Sequence, residues 1–174
     1  MIERAGKLGL GTAYIAGFQW ALERKYDFIC EMDCDFSHNP KDLKRLIEAC
    51  QNNADVAVGS RYTKGGSVVN WPLHRKWMSK GAGVYVNCVL GLGVKDATAG
   101  FVCFKRKVLE NLDLDKIQFV GYAFQIEMKY RAKQKGFTIQ EVAIEFVDRV
   151  LGQSKMSLNI FNEAFLGVLK MRFH

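Results

Sequence analysis

The chain has 174 residues, 49% hydrophobic and 25% charged, with only two prolines and five scattered cysteines, a composition that fits a globular domain with a real core and leaves no Pro-rich linker. No Cys-x-x-Cys occurs, which argues against zinc, and the cysteines within apolar runs read as buried thiols of a reducing compartment. Net charge is +7, and its placement matters more than its size: no acid falls from Val56 to Lys95, where Arg61, Lys64, Arg75, Lys76, Lys80 and Lys95 form a block that attracts anions or is simply a solvated face.

Lys7 to Thr12 reads as a Gly-rich turn into a helix that carries Ala13, Ala16, Gly17, Trp20, Ala21 and Leu22 at helical spacing up to Arg24. An apolar run from Tyr26 to Met32 predicts a strand, and Asp33-Cys34-Asp35 follows it. Residues two apart on a strand face the same way, and the carboxyl ends of strands are where open α/β sheets bind ligands. Two converging carboxylates repel each other and favour a divalent cation, which usually bridges to substrate phosphates. The other reading of the pair is a solvated strand end. Asn39-Pro40 predicts a helix start with Asn39 as N-cap, and Leu43, Leu46, Ile47 and Cys50 give that helix its buried stripe. Asp55 to Gly59 reads as a short buried strand and Ser60 to Asn70 as a polar loop.

Trp71 or Pro72 to about Leu90 predicts a helix with Trp77, Val84, Tyr85 and Cys88 on one face. The apolar stretch from Gly81 to Val94 is too short and Gly-rich to span a bilayer, and the opening residues do not read as a signal peptide. Asp96 to Gly100 is a loop, Phe101 to Phe104 a strand, Val108 to Leu112 a short helix, and Tyr122 to Lys135 a longer one ended by Gly136. Phe137 to Val147 alternates as a strand does, and Asp148 to Lys155 is a polar loop. Ser157 to Phe173 returns to helix, with Ile160, Phe161, Phe165, Leu166, Val168 and Leu169 on a broad apolar face. This alternation predicts an α/β fold with a mostly parallel sheet flanked by helices. A doubly wound sheet rarely begins on a helix, so N-terminal strands are expected upstream of Met1.

Several pieces, in order, resemble the polyprenyl-phosphate (dolichol-phosphate) mannose synthases of the family 2 glycosyltransferases. They are Lys7 to Tyr14, Met32 to Pro40, Val58 to Tyr62, Gly65-Gly66, Asn70 to Pro72, Arg75-Lys76, Ser79 to Ala82, Asp96 to Phe101, Gly121 to Glu127 and Arg149 to Met156. No single piece is decisive, but their order and spacing together are specific. The resemblance implies a GT-A-like domain over residues 1–156, followed at 157–174 by an amphipathic helix suited to a membrane interface. It implies inverting transfer of mannose from GDP-mannose to a polyprenyl phosphate, at the cytoplasmic face of a membrane, with Mg²⁺ or Mn²⁺. The family's opening strand and the following strand that meets the nucleotide base have no counterpart here, which leaves base recognition and the activity of this length open. Cys34 stands where the family often has Ala.

On that reading Asp33 and Asp35 hold the cation on the donor diphosphate, with Asp35 the direct ligand, Asp33 either sharing the cation or reaching the ribose instead, and Ser37 either a third contact or a local turn bond. Gly9 and Gly11 either let the backbone approach the donor or only form a tight turn. The nucleophile is a phosphate oxygen, mostly ionised at neutral pH, so no strong base is needed, and His38 reads as an exposed residue before the Asn39 cap. Arg61 and Arg75 are the candidate clamp on the acceptor phosphate, the more so because no acid lies near either in sequence. Arg149 and Lys155 would close over the diphosphate or the acceptor phosphate, with Ser154 at the acceptor. Gln125 and Glu127, which do not share a helix face, offer one contact to sugar or acceptor, or are structural. The C-terminal helix, ending in Lys170 and Arg172, either lies in the membrane interface or packs on the sheet. Rival readings are a related transferase using another nucleotide sugar such as UDP-glucose, a haloacid-dehalogenase-type phosphatase with Asp33 as nucleophile, and a nucleic-acid-binding block with Tyr62, Trp71 and Trp77 as stacking surfaces. No nucleic acid is expected as partner.

Overall fold

The computed structural model describes residues 3, 4, 6, 8–148 and 158–173. The chain begins in helix α1 (Leu10–Glu23), passes through strand β1 (Phe28–Glu31), helix α2 (Asp42–Asn52), and strands β2 (Val56–Ser60) and β3 (Ser67–Val69), and reaches the long helix α3 (Leu73–Leu90). Strand β4 (Val102–Lys105), helix α4 (Arg106–Asn111), a short 3₁₀ turn, helix α5 (Tyr122–Gln134), strands β5 (Ile139–Ala143) and β6 (Glu145–Val147) and helix α6 (Leu158–Phe173) complete it. The class is α/β, as the alternation of elements predicts.

The main sheet has the order β1-β4-β2-β5. Its hydrophobic residues sort by the two-residue period of a strand. Ile29, Val56, Val58, Val102 and Phe104 face a core shared with α1, α3, α5 and α6, while Cys30, Ala57, Phe101 and Cys103 face the second cluster with Leu46, Ala49 and Cys50 of α2. The stripe predicted for α2 is the one it buries.

The sheet is not mostly parallel, as the alternation suggested: β4 runs antiparallel to both β1 and β2, and only β2 and β5 pair in parallel. The cause lies in the return path. Helix α3 does not carry the chain across the sheet, because the loop after it folds back along the same helix. Asn87 donates to Val94 O at 2.8 Å and accepts from Gly93 N at 2.6 Å. A Cβ at Gly83 would lie 2.6 Å from Lys95 O, so only glycine lets the returning loop lie this close. The chain re-enters the sheet from the edge it left, pointing the other way.

Three further differences share a tertiary origin. Ser67–Val69, within the predicted polar loop, forms β3 and pairs in parallel with β6, which is the end of the predicted strand 137–147 broken at Ile144. Helix α3 buries Gly83, Val86 and Leu90, whereas Trp77 and Val84 of the predicted inner face are 74% and 62% exposed. Asn39 is not the cap of α2: its Oδ1 accepts from Lys41 N at 3.0 Å in a turn just ahead of the helix, and Lys41 occupies the cap position.

Candidate active site

Because β1, β2 and β5 run the same way and β4 runs opposite, four connections meet at one edge of the sheet: the turn after β1, the turn after β2, the loop entering β4 and the link from β5 to β6. They surround a cavity of about 500 Å³ whose walls include Asp33, Asp35, Arg61 and Arg75. The small β3–β6 sheet closes one side, fastened to the β1 turn by an isolated bridge between His38 and Phe146 and by Val147 N donating to Ser37 O at 3.1 Å.

The carboxylate pair is held from both flanks. Tyr14 of α1 donates its hydroxyl to Asp33 Oδ1 at 3.2 Å. Burial, reinforced by the Asp33 charge, pushes the Tyr14 phenol well above its ordinary range and keeps it a donor. Asp35 Oδ1 accepts from Ser37 N at 3.1 Å in a turn where Phe36 takes a positive φ of 62° and leaves its ring 96% exposed. Opposite, a Cβ at Gly100 would lie 3.8 Å from Asp33 Oδ2 and 3.7 Å from Gln125 Nε2, so the glycine keeps the space beside the carboxylate open. Among the described residues no third carboxylate, His or Cys completes a cation cage. Two hard carboxylate oxygens on an open wall fit Mg²⁺ or Mn²⁺ of the kind that fills its remaining positions with water and substrate phosphate.

The candidate clamp is present but not bare. Arg61 makes a two-pronged pair with Asp96, at 2.7 Å through Nε and 2.6 Å through Nη2, and Asp96 also accepts from Arg61 N. Arg75 Nη1 lies 3.0 Å and 3.1 Å from the two oxygens of Asp148. The absence of a neighbouring acid in sequence therefore does not hold in space, and each guanidinium enters the cavity with its own carboxylate. Both also rest on aromatic faces, Arg75 at 4.0 Å over Trp71, and Arg61 at 5.2 Å over Trp71 and 5.4 Å over Phe146. Such stacking fixes the plane of a guanidinium and so the direction in which its N–H groups point. Glu141 in turn anchors the loop bearing Asp96, accepting from Lys95 N and Asp96 N at 3.1 Å and 3.0 Å.

Other sequence candidates fall elsewhere. Gly11 packs against the segment before α5, where a Cβ would lie 2.8 Å from the Phe124 ring, and Gly9 lies against Val120; neither lines the cavity. Glu127 is structural: its carboxylate accepts from Gln118 N and Phe119 N and pairs with Arg131 at 2.7 Å. Gln125 lies beneath the floor in a buried group with Glu31 and Lys129, and Lys129 Nζ donates to Ala99 O at 2.7 Å and Gln125 O at 3.0 Å. Burial pushes Glu31 up to about 8 and Lys129 down to about 8, each opposed by the charge of the other. Arg149, Ser154 and Lys155 lie outside the described residues.

His38 departs most from its sequence reading. It is 7% exposed, set 5.0 Å from the Phe101 ring and 5.2 Å from Phe146, and it lines the cavity. Burial lowers its affinity for a proton, partly offset by Asp33 and Asp35. Sequence reasoning also missed Trp71, Ser79 and Phe146 as wall residues. The only signal for them was their place inside the quoted motifs or strands.

The far wall is apolar. Met78, Tyr85 and Val86 of α3 meet Phe165 and Val168 of α6, and Tyr85 stacks on Phe165 at 4.4 Å. Helix α6 thus packs on α3 and buries Val168 and Met171, while Leu166 and Phe173 stay 64% and 80% exposed, as do Leu73 and Trp77 of α3 at 73% and 74%. No described helix is long and apolar enough to cross a membrane.

Residues 1–113 match the family described as Glycosyl transferase family 2. The chain is 47% identical over 168 residues to the polyprenol monophosphomannose synthase of Mycolicibacterium smegmatis, a match covering 97% of this chain and 63% of that protein. It is also 47% identical over 170 residues to the undecaprenyl-phosphate mannosyltransferase of Micrococcus luteus, covering 98% of this chain and 70% of that one. The chain therefore spans about two thirds of the length of these relatives.

Proposed function

We infer the function from one premise: this chain belongs to glycosyl transferase family 2. We propose that it is a glycosyltransferase moving mannose from GDP-mannose to a polyprenyl phosphate. The observation that carries the reading is the division of a single cavity into three zones. Asp33 and Asp35 lie on one side, Arg61 and Arg75 on another, and an apolar wall from α3 and α6 on the third. A substrate pair made of a nucleotide diphosphate, an acceptor phosphate and an isoprenoid tail presents the matching chemistries. The names of the two relatives support mannose as the sugar and a polyprenyl phosphate as the acceptor.

In the proposed reaction an acceptor phosphate oxygen bonds to the anomeric carbon as the carbon–oxygen bond to the diphosphate breaks, and the electron pair leaves with GDP. Direct displacement inverts the anomeric centre. Asp33 and Asp35 are the residues that would hold Mg²⁺ or Mn²⁺, whose contribution when bound is to neutralise charge on the departing diphosphate. Tyr14 holds the Asp33 carboxylate in place. Arg61 and Arg75, oriented by Asp96 and Asp148 and by the Trp71 face, position the acceptor phosphate. Pairing makes each a directed hydrogen-bond donor and weakens it as a net positive charge. That suits a group which must bind a phosphate and still let it react. The exposed Leu73, Trp77, Leu166 and Phe173, with Lys76 and Lys80 beside them in sequence, form the face we assign to the lipid surface that holds the acceptor.

The test is transfer of labelled mannose from GDP-mannose to a short polyprenyl phosphate, with and without Mn²⁺, beside UDP-glucose as rival donor. Asp35→Asn is expected to lower the rate at least about 100-fold. Metal-independent transfer that survives Asp35→Asn would remove the carboxylates from the mechanism, and transfer from UDP-glucose alone would replace the donor.

A further inference from the structure

Among the described residues Lys129 is the only lysine or arginine that is fully buried, and the reaction above does not use it. Taking an ammonium out of water is costly, and packing alone would be served by an apolar side chain of similar shape. Its hydrogen bonds show where its effect falls. Nζ donates to Ala99 O at 2.7 Å, to Gln125 O at 3.0 Å and to Gln125 Oε1 at 3.4 Å, three acceptors for the three N–H groups of an ammonium. Two of these lie one turn back on its own helix α5. The third crosses to the loop that enters β4.

Ala99 O receives no other hydrogen bond among the described residues, so without Lys129 a buried carbonyl loses its partner. The charge is offset from strand β1. Burial raises the Glu31 carboxyl, and the Lys129 ammonium is the strongest influence against that rise. Neither Glu31 oxygen makes a hydrogen bond of ordinary geometry, although the Gln125 amide lies near enough to favour the ionised form. Glu31 therefore contributes charge and leaves the Lys129 donors to the loop.

That loop, residues 96–100, serves both sides of the reaction. Asp96 holds the Arg61 guanidinium at 2.7 Å and 2.6 Å, and Thr98 Oγ1 accepts from Arg61 Nη2 at 3.2 Å. Gly100 keeps open the space beside Asp33. The loop is anchored at its start by Glu141 on Asp96 N, and just past its end by Gly59 N donating to Phe101 O at 2.8 Å. Between those anchors, the hydrogen bonds among the described residues that tie it to the rest of the protein are those of Arg61 at Asp96 and Thr98 and of Lys129 at Ala99. After burial, the charges that Lys129 senses are Glu31, Asp96, Arg61 and Glu141, which puts it beneath the clamp rather than beneath the apolar wall.

We propose that Lys129 is a positioning residue: by holding Ala99 from beneath, it fixes the loop that aims Arg61 and so sets the place of the acceptor phosphate. Its kinetic consequence rests on the transferase reading above, and its structural consequence does not. Lys129→Met removes the ammonium and keeps a chain of similar length. Glu31→Gln combined with Lys129→Met removes both charges together, and serves where the single variant is too unstable to study because Glu31 is left buried without its partner. Glu31→Gln alone leaves the amine on Ala99. The first readout is the Arg61 Nε–H signal of ¹⁵N-labelled protein, identified by its loss in Arg61→Lys, and its rate of exchange with water. The second is initial rates with GDP-mannose, a short polyprenyl phosphate and Mn²⁺, each substrate varied at a saturating level of the other.

In Lys129→Met and in the double variant, the Arg61 signal is expected to shift and to exchange about ten-fold faster, and the acceptor KM to rise about ten-fold with the donor KM unchanged. Glu31→Gln is expected to keep the slow exchange and both KM values. An Arg61 signal and exchange rate that neither charge-removing variant moves would overturn the assignment, and so would an equal rise of donor and acceptor KM, which marks general loosening. If the unaltered protein transfers sugar from no nucleotide donor, the transferase reading falls, and the Arg61 exchange rate alone decides whether Lys129 positions the guanidinium.

Discussion

At the scale of the residue, the partners of the site's charged groups decide what those groups can do. Asp96 is fully buried and is bound to Arg61 through three hydrogen bonds, two from the guanidinium and one from the backbone N–H. Breaking a buried pair on one side leaves an uncompensated charge, which is costlier than never having built the pair. Asp96→Asn is therefore expected to destabilise the fold by about 3 kcal/mol, read by urea denaturation. It is also expected to weaken acceptor binding, since Arg61 loses the group that aims it. Neither acid was legible from the sequence, because Asp96 lies 35 residues from Arg61 and Asp148 lies 73 from Arg75. The Asp33-Cys34-Asp35 pair was legible because its meaning is local: a strand period puts both carboxylates on one side, and a strand's end puts them at a sheet edge. His38 was misread for the opposite reason, since its burial comes from Phe101 and Phe146, remote in sequence.

At the scale of the element, helix α3 and its returning loop set the direction of β4. Gly83→Ala places a methyl group 2.6 Å from a backbone carbonyl oxygen and cannot be relieved by a side-chain rotation. Overpacking of this kind costs about 1–3 kcal/mol, and a melting curve together with the rate of transfer would read it. Because the same loop carries Asp96, activity is expected to fall further than stability alone explains. The helices were legible where period and stop signals coincide, as in α2 with its narrow stripe and α5 ahead of Gly136. The inner face of α3 was not. Its small and apolar residues surround the helix, so sequence gives Trp77 and Val86 similar claims to the core, and packing against α6 and the return loop chooses Val86. Strand β3 is three residues long and exists only because β6 lies beside it. Strand direction was illegible for a related reason: it depends on the path of a loop, which a hydrophobic pattern does not record.

At the scale of the whole molecule, the two edges of the sheet are specialised. The edge bearing the cavity gathers Asp33, Asp35, Arg61 and Asp96, and the opposite edge is pinned by Asp55. Burial alone would raise the Asp55 carboxyl. The Lys107 ammonium at 2.7 Å and the hydrogen bonds from Thr138 outweigh it and pull the group from 3.8 to about 2. A carboxyl depressed on folding stabilises the native state above its unfolded pKa, and that contribution disappears as pH falls through the folded value. Stability is thus expected to decline between about pH 4 and pH 2, by about 1 kcal/mol from this residue once screening at the exposed Lys107 is allowed for. Asp55→Asn should flatten that part of the profile while leaving the cavity's chemistry intact. The placement of β4 has a consequence in time. Strands β1 and β2 do not pair with each other; β4, at residues 102–105, lies between them, and β2 also waits for residues 139–143. Strand β2 therefore stays without either of its neighbours until residues well downstream of it have been made. Such long-range closure slows folding to milliseconds or longer and leaves a window for association between nascent chains, so yield on expression should depend on the rate of synthesis and on chaperones more than on the final stability of the fold.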